Sequence, residues 1–302
     1  MEKVFLLSNA YAGSVSARTK EVIVKALQAD FKLEVAHTAA RDHATELAAD
    51  AVARGFHSVL VFGGDGTINE AAQALVGSDV ALGILPGGST NVLARSLGVP
   101  RDPVEATAYG AARLRSGTTR LVHVGRLNRR YFLFSAGMGL DAEVVRRVEM
   151  DPVAKRERGE WSFLSNALKA GVTQYAGIDP SITLSVEGGE PERVILAICC
   201  NGRPFTYFKR FSVDALPEAR LEQGLDFLGF RRIRRVTIPR IAWSLFVSRS
   251  HPRWRSATYH HDVASGHMIA DGPLPVQVDG DYIGDLEEAR IELVPDALTL
   301  AF

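Results

Sequence analysis

A doubly wound α/β domain followed by an antiparallel β-domain is the fold class this sequence predicts, and three observations carry it. The chain has 302 residues, more than one typical domain of roughly 100–200 residues. Through the first hundred residues short apolar runs alternate with amphipathic stretches, whereas after about residue 120 strand-like runs dominate. Hydrophobic residues make up 46% against 23% charged, a balance that buries a core and excludes disorder as the dominant state.

The elements follow in order. Val4–Leu7 reads as a strand ending in the loop composition Ser8-Asn9-Ala10-Tyr11-Ala12-Gly13. Residues 15–29 place Val15, Val22, Ile23, Ala26 and Leu27 on one helical face. Leu33–Ala36 is a second strand, and an Ala-rich helix follows near 41–54. Ser58–Phe62 is continuously apolar, as parallel strands covered on both faces are. A helix near 67–76 and a strand over Val80–Leu85 complete the alternation. The ligand site of such a sheet is expected at the carboxyl ends of its strands. The boundary is placed in the polar stretch Arg113–Thr119, giving a first domain over 1–119 and a second over 120–287. In the second, 120–125, 130–134, 182–186, 194–198, 225–230 and 276–278 read as strands of a β-sandwich, interrupted by helices near 139–150 and 161–176. Trp161, Phe163 and Leu164 are expected to line a core or a lipid cleft.

Composition narrows the function classes. No apolar run approaches the roughly 20 residues of a membrane span, and the N-terminus lacks the pattern of a secretory signal. The adjacent Cys199 and Cys200 offer neither a staple nor metal-ligand spacing and read as a buried strand end. A cytoplasmic protein without structural disulfides is expected. The zero net charge hides an asymmetry: residues 201–255 hold 12 Lys/Arg against 4 Asp/Glu, and 262–302 hold 1 against 9. Aromatic residues interleave the basic stretch, a mixture suited to an anionic membrane surface; mutual neutralisation of the two segments is the competing reading. No nucleic-acid-binding signature appears. His260-His261-Asp262 reads as a solvated loop, because adjacent strand residues point to opposite faces, and His251 and His267 show no partner spacing.

The sharpest motif is Gly63-Gly-Asp-Gly-Thr-Ile-Asn-Glu70, directly after the third strand and opening a helix. Glycines there let the main chain approach a phosphate, and the helix start offers free N–H donors and a favourable dipole. Asp65 in such a loop is expected to hold Mg²⁺ directly or through water, with Thr67 and Asn69 as neutral donors. The second motif, Leu85-Pro-Gly-Gly-Ser-Thr-Asn-Val-Leu-Ala-Arg95, repeats the strand–glycine–helix arrangement at the next strand. Alone, its Ser89 reads as a helix cap; beside the first motif it completes a place for a triphosphate and its metal.

The two motifs together resemble the bacterial diacylglycerol kinase family, lipid kinases related to sphingosine kinases. Tyr131 to Glu143 and Gln277-Val-Asp-Gly-Asp281 are similar to later segments of that family. The resemblance implies a nucleotide-binding α/β domain of the NAD kinase/diacylglycerol kinase type, a C-terminal antiparallel β-sandwich, an active site between them, and a final segment, 288–302, returning to the first domain. It implies ATP binding by Gly63, Gly64, Asp65, Gly66, Thr67 and Asn69, with Thr38, Ser89 and the first-strand loop residue Asn9. Asp279 and Asp281 match the acidic pair from which the base is drawn; on its own, that Asp-Gly-Asp reads as a hairpin turn. ATP and Mg²⁺ are the implied cofactors, a lipid at the inner membrane face is the implied partner, and a homodimer is compatible.

Four positions depart from the family pattern: Val92, His123 and Gln223 stand where acids are common, and Asp281 where a glutamate is. They put the structural metal and its surrounding network in question. The leading expectation is an ATP-dependent lipid kinase, a phosphotransferase acting on a primary hydroxyl. An NAD kinase-like enzyme shares the Gly-Gly-Asp-Gly loop, and a non-catalytic nucleotide- or lipid-binding regulator accounts for the missing acids.

Overall fold

The computed structural model describes residues 1–9, 16–151 and 160–301. Val15, and the side chains of Trp161, Phe163 and Leu164, lie outside the described residues. The chain divides into two compact units, residues 1–123 with 295–302, and residues 124–294.

The first unit alternates β1 (Lys3–Asn9), α1 (Ala17–Asp30), β2 (Lys32–Thr38), α2 (His43–Ala53), β3 (Ser58–Gly63), α3 (Asp65–Leu75) and β4 (Ala81–Pro86). Two further helices follow, α4 (Val92–Ser96) and α5 (Pro103–Arg115). The parallel strands lie in the order β2-β1-β3-β4. The path leaves β1 for β2 on one side and returns past it to β3. Right-handed crossovers therefore place α1 on one face and α2 and α3 on the other. In agreement, α1 packs with α5 and α2 with α3. Central strands β3 and β4 are buried at every residue, which is why they read as unbroken apolar runs. Ser16 opens α1 by accepting the Thr19 N–H at 3.2 Å.

The stretch expected to be a boundary loop is partly helix, since α5 runs through Arg113, Leu114 and Arg115. Its start signal was present in the sequence: Asp102 accepts the N–H groups of Val104 and Glu105 at 2.9 and 3.0 Å, and Pro103 occupies the first turn. At the far end of the chain, Leu300 pairs parallel with Leu82, and the Ala301 N–H reaches the Leu82 carbonyl at 2.9 Å.

The second unit is mostly antiparallel. β5 (Arg120–Leu127) enters it and pairs with β6 (Arg130–Phe132), and β7 (Ser135–Met138) precedes α6 (Leu140–Met150) and α7 (Glu160–Ala170). A wide helical turn, Gly171–Tyr175, continues α7, so the single helix expected to 176 changes pitch at Gly171. Then come β8 (Ile182–Val186), β9 (Glu192–Val194), β10 (Leu196–Cys200), the hairpin β11 (Thr206–Phe208) and β12 (Phe211–Val213), and β13 (Leu225–Phe230). The helix α8 (Ile238–Trp243) precedes β14 (Ala257–Val263), β15 (Ser265–Val278) and β16 (Asp281–Leu300). Strand order β14-β13-β10-β7-β15 runs through antiparallel neighbours. β15 serves three partners: it pairs with β16 along one edge, and on the other residues 266–270 pair with β8 and 276–278 with β7. Its register breaks between Ile269 and Leu274, where Gly272 and Pro273 interrupt the ladder.

Alternation along β10 and β13 separates two cores. Ala197, Cys199, Leu225 and Phe227 enter one cluster with Met268, Val276 and Ile291. Leu196, Ile198, Cys200, Leu228 and Phe230 enter the other, which Ile238, Ile241 and Leu245 cover. Burial pushes both cysteine thiols well above their ordinary range. Although His261 and Asp262 are solvent-exposed as expected, His260, His261 and Asp262 form part of β14 rather than a loop. Asp226, fully buried on the adjacent strand, explains why: it accepts from His261 Nδ1 at 2.8 Å, the Asp262 N–H at 3.1 Å and the Tyr259 hydroxyl at 2.5 Å. His251 is likewise a core residue, held between Ser244 Oγ at 2.9 Å and the Ala215 carbonyl at 2.6 Å.

Candidate active site

The carboxyl edge of the parallel sheet collects the residues singled out in the N-terminal motifs. Strand register sets Asn9 opposite Thr38, Ser8 opposite Phe62 and Gly63 opposite Pro86. The connections diverge between β1 and β3, the topological switch point where open α/β sheets take ligands. Across that point Asn9 Nδ2 donates to Thr67 Oγ1 at 3.0 Å. Thr38 and Thr67 are buried, Gly64 to Gly66 are half-exposed, and Ser89 is exposed. Asn69, almost fully buried, accepts from Gln73 Nε2 at 3.2 Å along the same helix.

The two glycine loops are joined main chain to main chain. The Gly87 N–H donates to the Gly63 carbonyl at 2.9 Å. A Cβ on Gly88 would lie 2.7 Å from the Gly64 Cα, so only glycine permits this approach. Gly64 caps α3 without a side-chain contact, leaving the first-turn N–H groups aimed at the loop opening.

Two side chains pin the second loop. Asn91 adopts the left-handed conformation at φ 48°, and its amide clasps Gly88, accepting from its N–H at 2.9 Å and donating to its carbonyl at 2.7 Å. Asp65 reaches across from the first loop: its carboxylate accepts the Val92 N–H at 2.9 Å and the Leu93 N–H at 3.2 Å. It thereby caps α4, whose own Asn91 supplies no side-chain cap. From the sequence Asp65 is expected to serve catalysis, nucleotide binding and a metal, and Asn91 carries no expected role. The missing acid at Val92 leaves this cap intact, because the contact is made through a main-chain N–H. His123, another departure, accepts the Asp296 N–H at 2.9 Å and secures the returning segment.

Asp279 and Asp281 lie in the second unit. Asp279 and Gly280, at φ 49° and 81°, form the two-residue turn between Val278 and Asp281, the conformation a tight hairpin requires. Asp279 is buried, and its carboxylate accepts three main-chain donors: Leu133 at 2.7 Å, Phe134 at 2.9 Å and Ser135 at 2.9 Å. From the sequence both acids are candidates for the base; the three main-chain contacts also give Asp279 a scaffolding task. Asp281 is partly exposed, 3.8 Å from an Arg130 Nη2. Gln277 braces the same turn, accepting the Gly280 N–H at 2.9 Å and donating to Asp141 at 3.1 Å. Gln223, the third departure, has a buried side-chain oxygen without a hydrogen-bond partner.

The Asp141 residue is half-buried with its Oδ1 shut off from water, and burial pushes its carboxyl up to about 6 from 3.8 against the opposing hydrogen bond from Gln277. The folded protein therefore keeps this proton where the unfolded chain has lost it. The stabilisation is complete below about pH 4 and is lost as pH rises through about 6, up to ~3 kcal/mol. Denaturant midpoints should accordingly fall across pH 4–6, and Asp141→Asn should flatten that slope. An unchanged slope in the variant would assign the dependence elsewhere.

Comparison with known proteins adds to this geometry. Residues 3–127 match the family described as "Diacylglycerol kinase catalytic domain". A diacylglycerol kinase of Bacillus subtilis is 36% identical over 121 residues, 39% of this chain and 39% of that protein. The aligned part thus spans about two fifths of that relative. A diacylglycerol kinase of Staphylococcus carnosus is 23% identical over 88% of this chain and 83% of its own. In fold, a crystal structure of a diacylglycerol kinase from Bacillus anthracis superposes with a TM-score of 0.76, at 24% identity, covering 100% of this chain and 97% of that one. Residues 3–127 are thus similar to a diacylglycerol kinase catalytic domain, and the fold over the whole chain is similar to that of the Bacillus anthracis protein.

Proposed function

We propose that the protein transfers the γ-phosphoryl group of ATP to a primary hydroxyl of diacylglycerol or a related lipid. The observation that carries this reading is the pair of glycine loops, joined at the switch point and opening on the start of α3, in a region that matches the diacylglycerol kinase catalytic domain. In this reading the main-chain N–H groups of Gly64 to Thr67 receive the phosphates. Asn9 holds the Thr67 hydroxyl, and Thr38 and Ser89 complete the nucleotide contacts. Phosphoryl transfer asks little covalent help; it needs positioning, charge neutralisation and a destination for the acceptor proton. Asp281, the hairpin carboxylate left partly exposed, is the group we assign to that proton.

Mg²⁺ enters as part of the nucleotide substrate. Among the described residues no three His, Cys, Asp or Glu side chains gather into a metal-binding group. Both Asp65 oxygens engage main-chain donors, so the described residues hold no preformed cage. Magnesium bound chiefly through phosphates needs none; it would supply neutralisation of the transferred charge.

Among the described residues no helix is long and apolar enough to cross a membrane. We place the enzyme in the cytoplasm, meeting its lipid at the inner membrane face. The test is transfer from γ-labelled ATP to diacylglycerol, ceramide, sphingosine and NAD in parallel. Label on a lipid alone is expected. Transfer only to NAD would select the NAD kinase-like activity, and ATP binding without any transfer would select a regulator.

A further inference from the structure

The segment from Arg235 to Ser248 is a helical run of three pitches: a tight turn over Arg235–Thr237, α8, and a wide turn over Ser244–Ser248. Its inner face is ordinary, with Ile238, Ile241 and Leu245 packed on the core beneath β10 and β13. The outer face is not. Val236 is 83% exposed, Trp243 62% and Val247 54%, where a helix facing water carries polar side chains. The β11–β12 hairpin lies against this run: Phe208 meets Phe246 edge-on at 6.3 Å, and the Asp214 N–H donates to the Leu245 carbonyl at 2.9 Å. Phe211 at its tip is 54% exposed, with the Arg210 guanidinium 5.3 Å from its ring.

Charge frames these apolar groups. Residues 227–257 contain eight arginines and no Asp or Glu. Arg231 is matched by Glu192 and Arg249 by Asp214, but Arg232, Arg234, Arg235 and Arg240 are exposed around the helical run. The neutralisation by acidic residues 262–302 considered from sequence reaches none of these four by an ion pair within 4 Å among the described residues. Nucleic acid would use the cations but gains nothing from exposed Val236 and Val247. An anionic bilayer uses both: guanidinium groups meet headgroups while short aliphatic and indole side chains enter the acyl boundary. Tryptophan belongs at that depth, one end apolar and its N–H wet.

We infer that the outer face of residues 235–248, together with the β11–β12 tip, is a docking surface for anionic lipid bilayers. It holds the protein on the membrane whatever the nucleotide site contains, and it stands independently of the kinase reading.

Sedimentation of the full chain with vesicles tests it. Binding to phosphatidylcholine vesicles holding 30% phosphatidylglycerol should exceed binding to phosphatidylcholine alone, and should weaken with salt as screening shortens. The double substitution Arg232→Gln/Arg235→Gln should weaken binding roughly 25-fold, about five-fold for each cation. On vesicles the tryptophan emission should shift to the blue, and Trp243→Phe should remove that shift while the protein still sediments with vesicles. Equal binding to neutral and anionic vesicles, unchanged binding of the Arg variant, or a blue shift surviving Trp243→Phe would each overturn the assignment. So would displacement from vesicles by an equal concentration of duplex DNA, which would give the face to nucleic acid. These readouts do not involve ATP, so their failure is distinguishable from failure of the proposed phosphoryl transfer.

Discussion

Asp281→Asn is expected to fold like the parent protein and bind nucleotide within a few-fold, yet lose roughly 10²–10⁴-fold in kcat, the usual contribution of a general base. The neighbouring Asp279→Asn should behave in the opposite way. Its carboxylate lies buried under three main-chain N–H donors. An amide can keep Oδ1 for Phe134 and Ser135 but must present either a donor or a misplaced oxygen to Leu133. A buried donor left without an acceptor costs about 1–3 kcal/mol, so a stability loss on the order of 3 kcal/mol is expected for this variant. Denaturant unfolding, nucleotide affinity and lipid phosphorylation on the same preparations separate the two roles. Asp281→Glu keeps a carboxylate one methylene longer and should retain activity. Wild-type turnover in Asp281→Asn would move the search for the base to another residue; wild-type stability in Asp279→Asn would refute the scaffolding role.

The second large effect belongs to Asp65. Asp65→Ala removes the cap of α4 and two side-chain hydrogen bonds that run from the first glycine loop to the second. A lost cap costs about 1–2 kcal/mol, and here it also releases the loop whose position Gly88 and Asn91 define. Affinity for MgATP should fall at least ten-fold by calorimetry, with a lowered thermal midpoint. Asp65→Asn keeps one acceptor for α4 while discarding the charge, so it should recover most of the lost stability. If Asp65→Ala melts like the parent protein while losing all activity, its carboxylate serves the nucleotide and its metal, and the capping contacts are incidental.

These two acids also show where sequence reasoning stops. Asp65 stood out because glycines surround it after an apolar strand, and the inference that a charged group there serves a bound phosphate or cation follows from local composition. Its main-chain partners lie 27 and 28 residues away, and those of Asp279 lie 144 to 146 residues away. No periodicity within a window of ten or twenty residues reports on such pairs. For the same reason α5 was within reach, since Asp102-Pro103 is a local start signal, whereas the strand character of His260 to Asp262 was not: it rests on Asp226 from a neighbouring strand.

By itself the sequence determined the alternation of strands and helices, the burial of β3, β4, β10 and β13, and the placement of both glycine motifs at strand ends. Each of these is written in the spacing of adjacent residues, where main-chain sterics and the burial of apolar side chains act. Only the tertiary structure decided that Gly64 and Gly88 touch, that Asp65 and Asp279 spend their carboxylates on distant main-chain donors, and that Val236, Trp243 and Val247 face outward together. Those outcomes depend on which surfaces fold against each other, and a buried carboxylate takes whatever donors the packing brings within 3 Å, because leaving either side unpaired costs more than any local preference.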